Sequence, residues 1–131
     1  MIHTYEKYLK HPTGNSLKIE DALQIYEEMA ASFEKCRLED KMDFWNECLK
    51  KAAEYTKIRN DWEFMSREEK ADDDGRRSLV HNSFITSINV LSRIAGNEGI
   101  DNTWREKLGD DRKKIGDFAC FISYMTGVSN R

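Results

Sequence analysis

After Pro12 the chain never meets another proline, and only seven glycines interrupt its 131 residues. Proline locks φ and removes a backbone donor, so its absence leaves every later segment free to be helical. Glu, Lys, Ala, Leu, Met and Arg abound, and all favour helix. Apolar residues recur at the helical period in several places. Ile19, Ala22, Leu23, Tyr26, Met29, Ala30 and Phe33 make one stripe, and Met42, Trp45, Leu49 and Ala52 make another, with Phe44, Cys48 and Tyr55 beside it. Ile115, Phe118, Ala119, Ile122 and Met125 make a third. No segment shows the two-residue alternation of a strand. The expected fold is all-α: a single domain over 1–131, built as a bundle of four main helices at about 17–36, 39–58, 76–95 and 111–126. Two or three short accessory helices are expected besides. One spans residues 1–11 and is stopped by Pro12, one starts at Arg67 behind the capping-box spacing Ser66-x-x-Glu69, and one lies around Trp104 to Leu108. Residues 59–75 then read as a connection ended by Asp72-Asp73-Asp74-Gly75. Gly96 reads as the close of the third main helix, Asp110 or Asp111 as the cap of the fourth, and Gly127 as its end.

About a third of the residues are charged, yet none from Ser78 to Ser92 is Lys, Arg, Asp or Glu. That run is polar as well as apolar. At 100° per residue, Val80, Phe84, Ile88, Leu91 and Ala95 share one face, and Leu79, Val90 and Ile94 form a second apolar patch. A helix apolar on two sides is expected to touch several neighbours and to sit centrally, beside the charge-poor last helix. An unpaired buried charge costs far more than a buried amide with a partner, which explains the missing charges. The remaining side carries Asn82, Thr86, Asn89 and Arg93. It reads in three ways: a polar network inside the bundle, a subunit or partner interface, or the wall of a small-ligand pocket. Gly116 and Ser123, with Ala119 between them, form a strip of small residues on the last helix. Such a strip lets another helix approach closely and adds to the case for a symmetric dimer.

Charge divides unevenly along the chain. Residues 1–75 carry 12 basic and 18 acidic groups, and residues 76–131 carry 9 basic and 6 acidic. The simple reading is mild attraction between the halves across a bundle. The net charge of −3 supplies no footprint for nucleic acid. The cysteines, Cys36, Cys48 and Cys120, are odd in number and lack C-x-x-C spacing, so reduced thiols in a cytoplasmic protein are expected, with neither disulfide framework nor zinc site. Met-Ile-His-Thr-Tyr-Glu-Lys reaches charge at once, unlike a signal peptide, and no apolar run spans a bilayer.

Chemical motifs are sparse. Arg77 and His81 stand four residues apart on one helix face, and Asp117 is the most inviting acid for either, with Arg112 close by in sequence. A His–Asp pair can serve as a general base, although a histidine held by structural hydrogen bonds is the simpler reading. Asp40, Asp43 and Glu47 read as a solvated acidic face. Asp72 to Gly75 fails the calcium-loop register, because Lys70 and His81 would fall where Asp and Glu are required. The segment between the last two main helices is too long for a helix-turn-helix, and Asp110-Asp111 would repel phosphate. Size and acidic helical composition are similar to those of many small bacterial, phage or plasmid accessory proteins, a likeness that carries no activity with it.

The expectation from sequence is a small cytosolic interaction or regulatory module without cofactor or metal. It associates with itself or another protein through Asn82, Thr86, Asn89, Arg93, Gly116 and Ser123. Membrane and nucleic-acid partners are not expected. The alternative is an all-helical enzyme of unspecified reaction with a polar site around Arg77, His81, Arg112 and Asp117.

Overall fold

The computed structural model describes residues 16–62 and 64–127. The helix expected over residues 1–11 lies outside them. Among the described residues there are five helices and no strand: α1 (Ile19–Lys35), α2 (Lys41–Trp62), α3 (Arg67–Asn97), α4 (Trp104–Leu108) and α5 (Arg112–Thr126). The all-α arrangement of four long helices and a short one is the one that the periodicity predicts.

Each helix starts and stops for local reasons. Glu20 and Asp21 occupy the first turn of α1, where the helix dipole favours negative charge. At its other end, the Cys36 N–H donates to the Phe33 carbonyl at 3.1 Å, and the Lys41 ammonium donates to the carbonyls of Phe33, Glu34 and Cys36. Ser66 and Glu69 form the capping box of α3, with bonds of 3.2 and 3.0 Å. Asp111 caps α5 through the N–H groups of Lys113 and Lys114, and Gly127 ends it in the left-handed region.

Two expectations about α3 need correction. Asp72-Asp73-Asp74-Gly75 does not break the chain: α2 runs on to Trp62, and α3 is one helix of 31 residues through Gly75. Lys70, Asp73, Arg77 and Val80, spaced at the helical period, are the half-buried positions along the N-terminal half of α3, so it has a neighbour to run along. Nor does Gly96 close the helix. The turn is made three residues later by Gly99, at φ +70°. Ile100 N–H donates to the Ala95 carbonyl and Gly99 N–H to the Gly96 carbonyl, the pairing of a Schellman motif.

Buried residues of all five helices join one core cluster. Its hub is α2, which packs along α3 on one side and α5 on the other, while α3 and α5 meet little directly. This corrects the expectation that the two charge-poor helices pair at the centre. The α5 helix is enclosed, with every residue from Ile115 to Ser123 buried. By contrast, α3 buries one face only: His81, Phe84, Ser87, Ile88, Leu91 and Ala95. Its second apolar patch stays at the surface, with Leu79 66% exposed and Val90 and Ile94 half-buried. The strip of Gly116 and Ser123 is used inside the bundle. A Cβ on Gly116 would come within 2.7 Å of the Tyr55 hydroxyl, so the missing side chain makes room for that ring.

Candidate functional site

Where α2, α3 and the start of α5 meet, a cleft of about 240 Å³ opens between Tyr55, Arg59, Arg77, Ser78, His81, Arg112 and Lys113. Helical spacing supplies its parts. Tyr55 and Arg59 are four apart on α2, as are Arg77 and His81 on α3, so each pair shares a face. Arg112 and Lys113 stand in the first turn of α5.

Each guanidinium is held by a partner. The Arg59 Nη1 lies 2.8 Å from Asp117 Oδ1 and reaches towards the Cys120 thiol at 4.0 Å. Arg77 stacks on the Trp62 ring, 4.7 Å from its centroid, and interacts with the Tyr55 hydroxyl. Its Nε is buried without a hydrogen-bond partner. Arg112 donates from Nη1 to the Asn82 side-chain oxygen at 3.0 Å. Among the described residues, no carboxylate forms an ion pair with Arg77, Arg112 or Lys113.

His81 closes the floor. Only 5% exposed, it meets the Tyr55 ring edge-on at 5.0 Å. Its Nε2 lies 2.9 Å from the Arg112 carbonyl. A carbonyl only accepts, so Nε2 carries the hydrogen and Nδ1 is the bare nitrogen, buried and without a partner. Burial holds the imidazole below its ordinary value. The Arg112 carbonyl works against that shift, while the charges of Arg112, Arg77 and Arg59 reinforce it.

Asp117 stands behind the cleft, fully buried, and accepts from the Ser16 N–H at 3.3 Å. Burial pushes its carboxyl above the usual range against the pull of Arg59. Burial also opposes the Arg59 charge, but Cys120, Tyr55 and Asp117 together hold that guanidinium above its ordinary value.

The structure therefore gathers Arg77, His81 and Arg112 around one cleft and sets Asp117 one layer deeper. Tyr55 and Arg59 belong with them and were missed in the sequence. Tyr55 reads as core, and Arg59 falls in what looks like a connection. The Tyr55–Arg59 spacing of four was the available signal, visible only once α2 is known to continue.

The other residues singled out go elsewhere. Asn82 and Thr86 line a groove of about 510 Å³ between α2 and α3, together with Phe44, Leu79, Ser83 and Val90. Asn89 accepts from Arg105 Nε at 2.7 Å, and the same guanidinium donates to the Gly109 carbonyl, so Asn89 secures the turn after α4. Arg93 is exposed, and Gly116 and Ser123 are interior. Among the described residues no three His, Cys, Asp or Glu side chains come together as a metal ion would require. No described helix is long and apolar enough to cross a membrane. No protein-family model, curated protein or solved structure matches the chain.

Proposed function

We propose that the protein is a small helical binding module whose working site is the basic cleft, and that the cleft takes an anionic group from a ligand or partner. One observation supports this above the others. Three guanidinium groups and an ammonium, carried by three helices, converge on one cleft that no described carboxylate lines, and Asp117 behind it is already engaged by Arg59. Like charges brought together raise the free energy unless an opposite charge completes the set. Arginine is suited to that task, since its planar fork matches carboxylate and phosphate oxygens.

A catalytic reading has less behind it. The His81 Nε2–H is committed to a backbone carbonyl, and Asp117 faces Arg59, so neither forms a nucleophile–base pair. The thiols offer no nucleophile either: all three are buried, and burial pushes Cys48 up to about 12.

The test is a titration of ¹⁵N-labelled protein with sulfate at low ionic strength. Shifts should concentrate at Tyr55, Arg59, Arg77, His81, Arg112 and Lys113. Arg77→Gln should weaken binding about tenfold or more, the loss of one charge-assisted hydrogen bond. Shifts scattered over the surface, or an unaffected variant, would remove the reading.

A second reading, self-association, has its own observation. The α3 wall of the groove between α2 and α3 carries the exposed Leu79 and uncharged Asn82, Ser83 and Thr86, while on the α2 wall Glu47 and Lys51 pair with one another at 3.6 Å. In a two-fold interface a surface meets its own copy, so an uncharged α3 wall facing an internally paired α2 wall limits the like charges placed opposite one another. Light scattering after size exclusion should then show dimer for the native chain and monomer for Leu79→Lys. A native monomer at every concentration would end this reading.

A further inference from the structure

Resting on the anion-binding reading, we propose that the cleft takes a dianionic, tetrahedral phosphate-type group and that a solvent proton enters with it, onto His81 Nδ1. Size, charge and geometry each bear on the ligand class.

The cleft, at about 240 Å³, is smaller than the roughly 300–1,000 Å³ of pockets that enclose a whole drug-sized ligand. It admits one head group and leaves the rest of the ligand outside. Four cations face it, Arg59, Arg77, Arg112 and Lys113, and Asp117 offsets one of them. A carboxylate would leave most of that excess in place, whereas a dianion meets it more fully. The guanidinium groups are also held beforehand, by Asp117, by Trp62 with Tyr55, and by Asn82. Little side-chain freedom is left to lose when the anion arrives.

His81 is the one group in the cleft whose charge can follow the ligand. It is faced by Tyr55 and Arg59 from α2, by Arg77 on its own helix, and by Arg112 and Lys113 from α5, with Asp117 behind Arg59. Burial and the three arginines disfavour the imidazolium while the cleft holds no anion. A dianion among those arginines cancels their repulsion and favours the imidazolium. Nε2 already bears a hydrogen for the Arg112 carbonyl, so the incoming proton has only Nδ1 to go to. The balance is neutral imidazole, one proton and dianion on one side, and an imidazolium–dianion pair on the other.

Calorimetry with sodium sulfate at constant ionic strength tests this, because sulfate keeps both charges from about pH 5.5 to about pH 8, the range in which histidine titrates. Affinity should rise as pH falls, approaching about tenfold for each unit by which the ligand raises the His81 midpoint. The heat should differ between buffers of unlike ionisation enthalpy, as proton uptake requires. Imidazole NMR of the native chain should show the His81 midpoint move up with sulfate. In His81→Gln, whose amide can still donate to the Arg112 carbonyl, sulfate affinity should lose its pH dependence. Inorganic phosphate and an O-phosphoserine peptide separate the sources of the group. Tighter binding of the peptide assigns a partner's phosphorylated side chain, equal binding a small phosphate ester, and both sustain the phosphate class. Acetate binding as tightly as sulfate would overturn the proposal. So would sulfate binding that ignores pH with an unmoved His81 midpoint. Either result leaves the anion-binding module standing, whereas a cleft silent to every anion would sink both.

Discussion

Replacing Gly116 with alanine tests how the interior around the cleft is packed. The new methyl would lie 2.7 Å from the Tyr55 hydroxyl and 3.1 Å from two ring carbons, on a ring that is itself buried. Overpacking of this kind costs about 1–3 kcal/mol. Alanine is favoured over glycine in a helix by about 0.5–1 kcal/mol, which offsets part of that. The expected net is a loss of up to about 2.5 kcal/mol, with a fall in Tm of roughly 4 °C per kcal/mol for a chain of this size. Urea denaturation should show a lower midpoint with the slope unchanged. Tyr55→Phe removes the closest contact, so the double variant should be more stable than the two single losses predict when added. Full additivity, or a Gly116→Ala protein at least as stable as the native one, would refute the packing argument. If the small-residue strip served a second chain instead, the alanine would change self-association and leave monomer stability alone.

Two further outcomes are expected. At Gly75, mid-helix in α3, an added Cβ meets nothing within 4 Å, so Gly75→Ala should raise stability by about 0.5–1 kcal/mol in urea denaturation, and a loss would mean that the helix is interrupted there. For His81, the folded value lies below the unfolded one of about 6.5, because burial and the neighbouring arginines disfavour its charge. The unfolded chain therefore binds the proton more readily, and the stability linked to this group is complete above about pH 6.5 and is lost as pH falls through the folded midpoint. A urea midpoint that fails to drop between about pH 7 and pH 5, or that drops equally in His81→Gln, would contradict this.

Much of the fold was legible because four stripes of apolar residues repeat at the helical period, and a stripe needs no knowledge of its neighbour. The capping box at Ser66 and the caps at Asp111 and Gly127 were legible for the same reason, since each is satisfied within a few residues. The errors arose where a distant partner decides. Gly75 looks like a stop until a long α2 is there for α3 to run along. Gly116 looks like a surface for another helix until the Tyr55 ring is seen to fill it. The absence of charge in α3 suggested enclosure, yet one of its apolar patches lines an open groove. Of the cleft, the Arg77–His81 spacing was readable within one helix. The convergence with Arg59 and Arg112 depends on how three helices pack, which no single periodicity encodes.

The three cysteines turn the fold into its own stopwatch. Cys36 sits at the end of α1, Cys48 in α2 and Cys120 in α5, and each thiol is buried and pushed up by that burial. Alkylation needs an exposed thiolate, so each sulfur reacts only as fast as its own helix opens. Mass spectrometry of a timed iodoacetamide exposure would then rank the openings of three helices in one unmodified chain. A ligand that ties α2, α3 and α5 together would slow the Cys48 and Cys120 clocks more than that of Cys36.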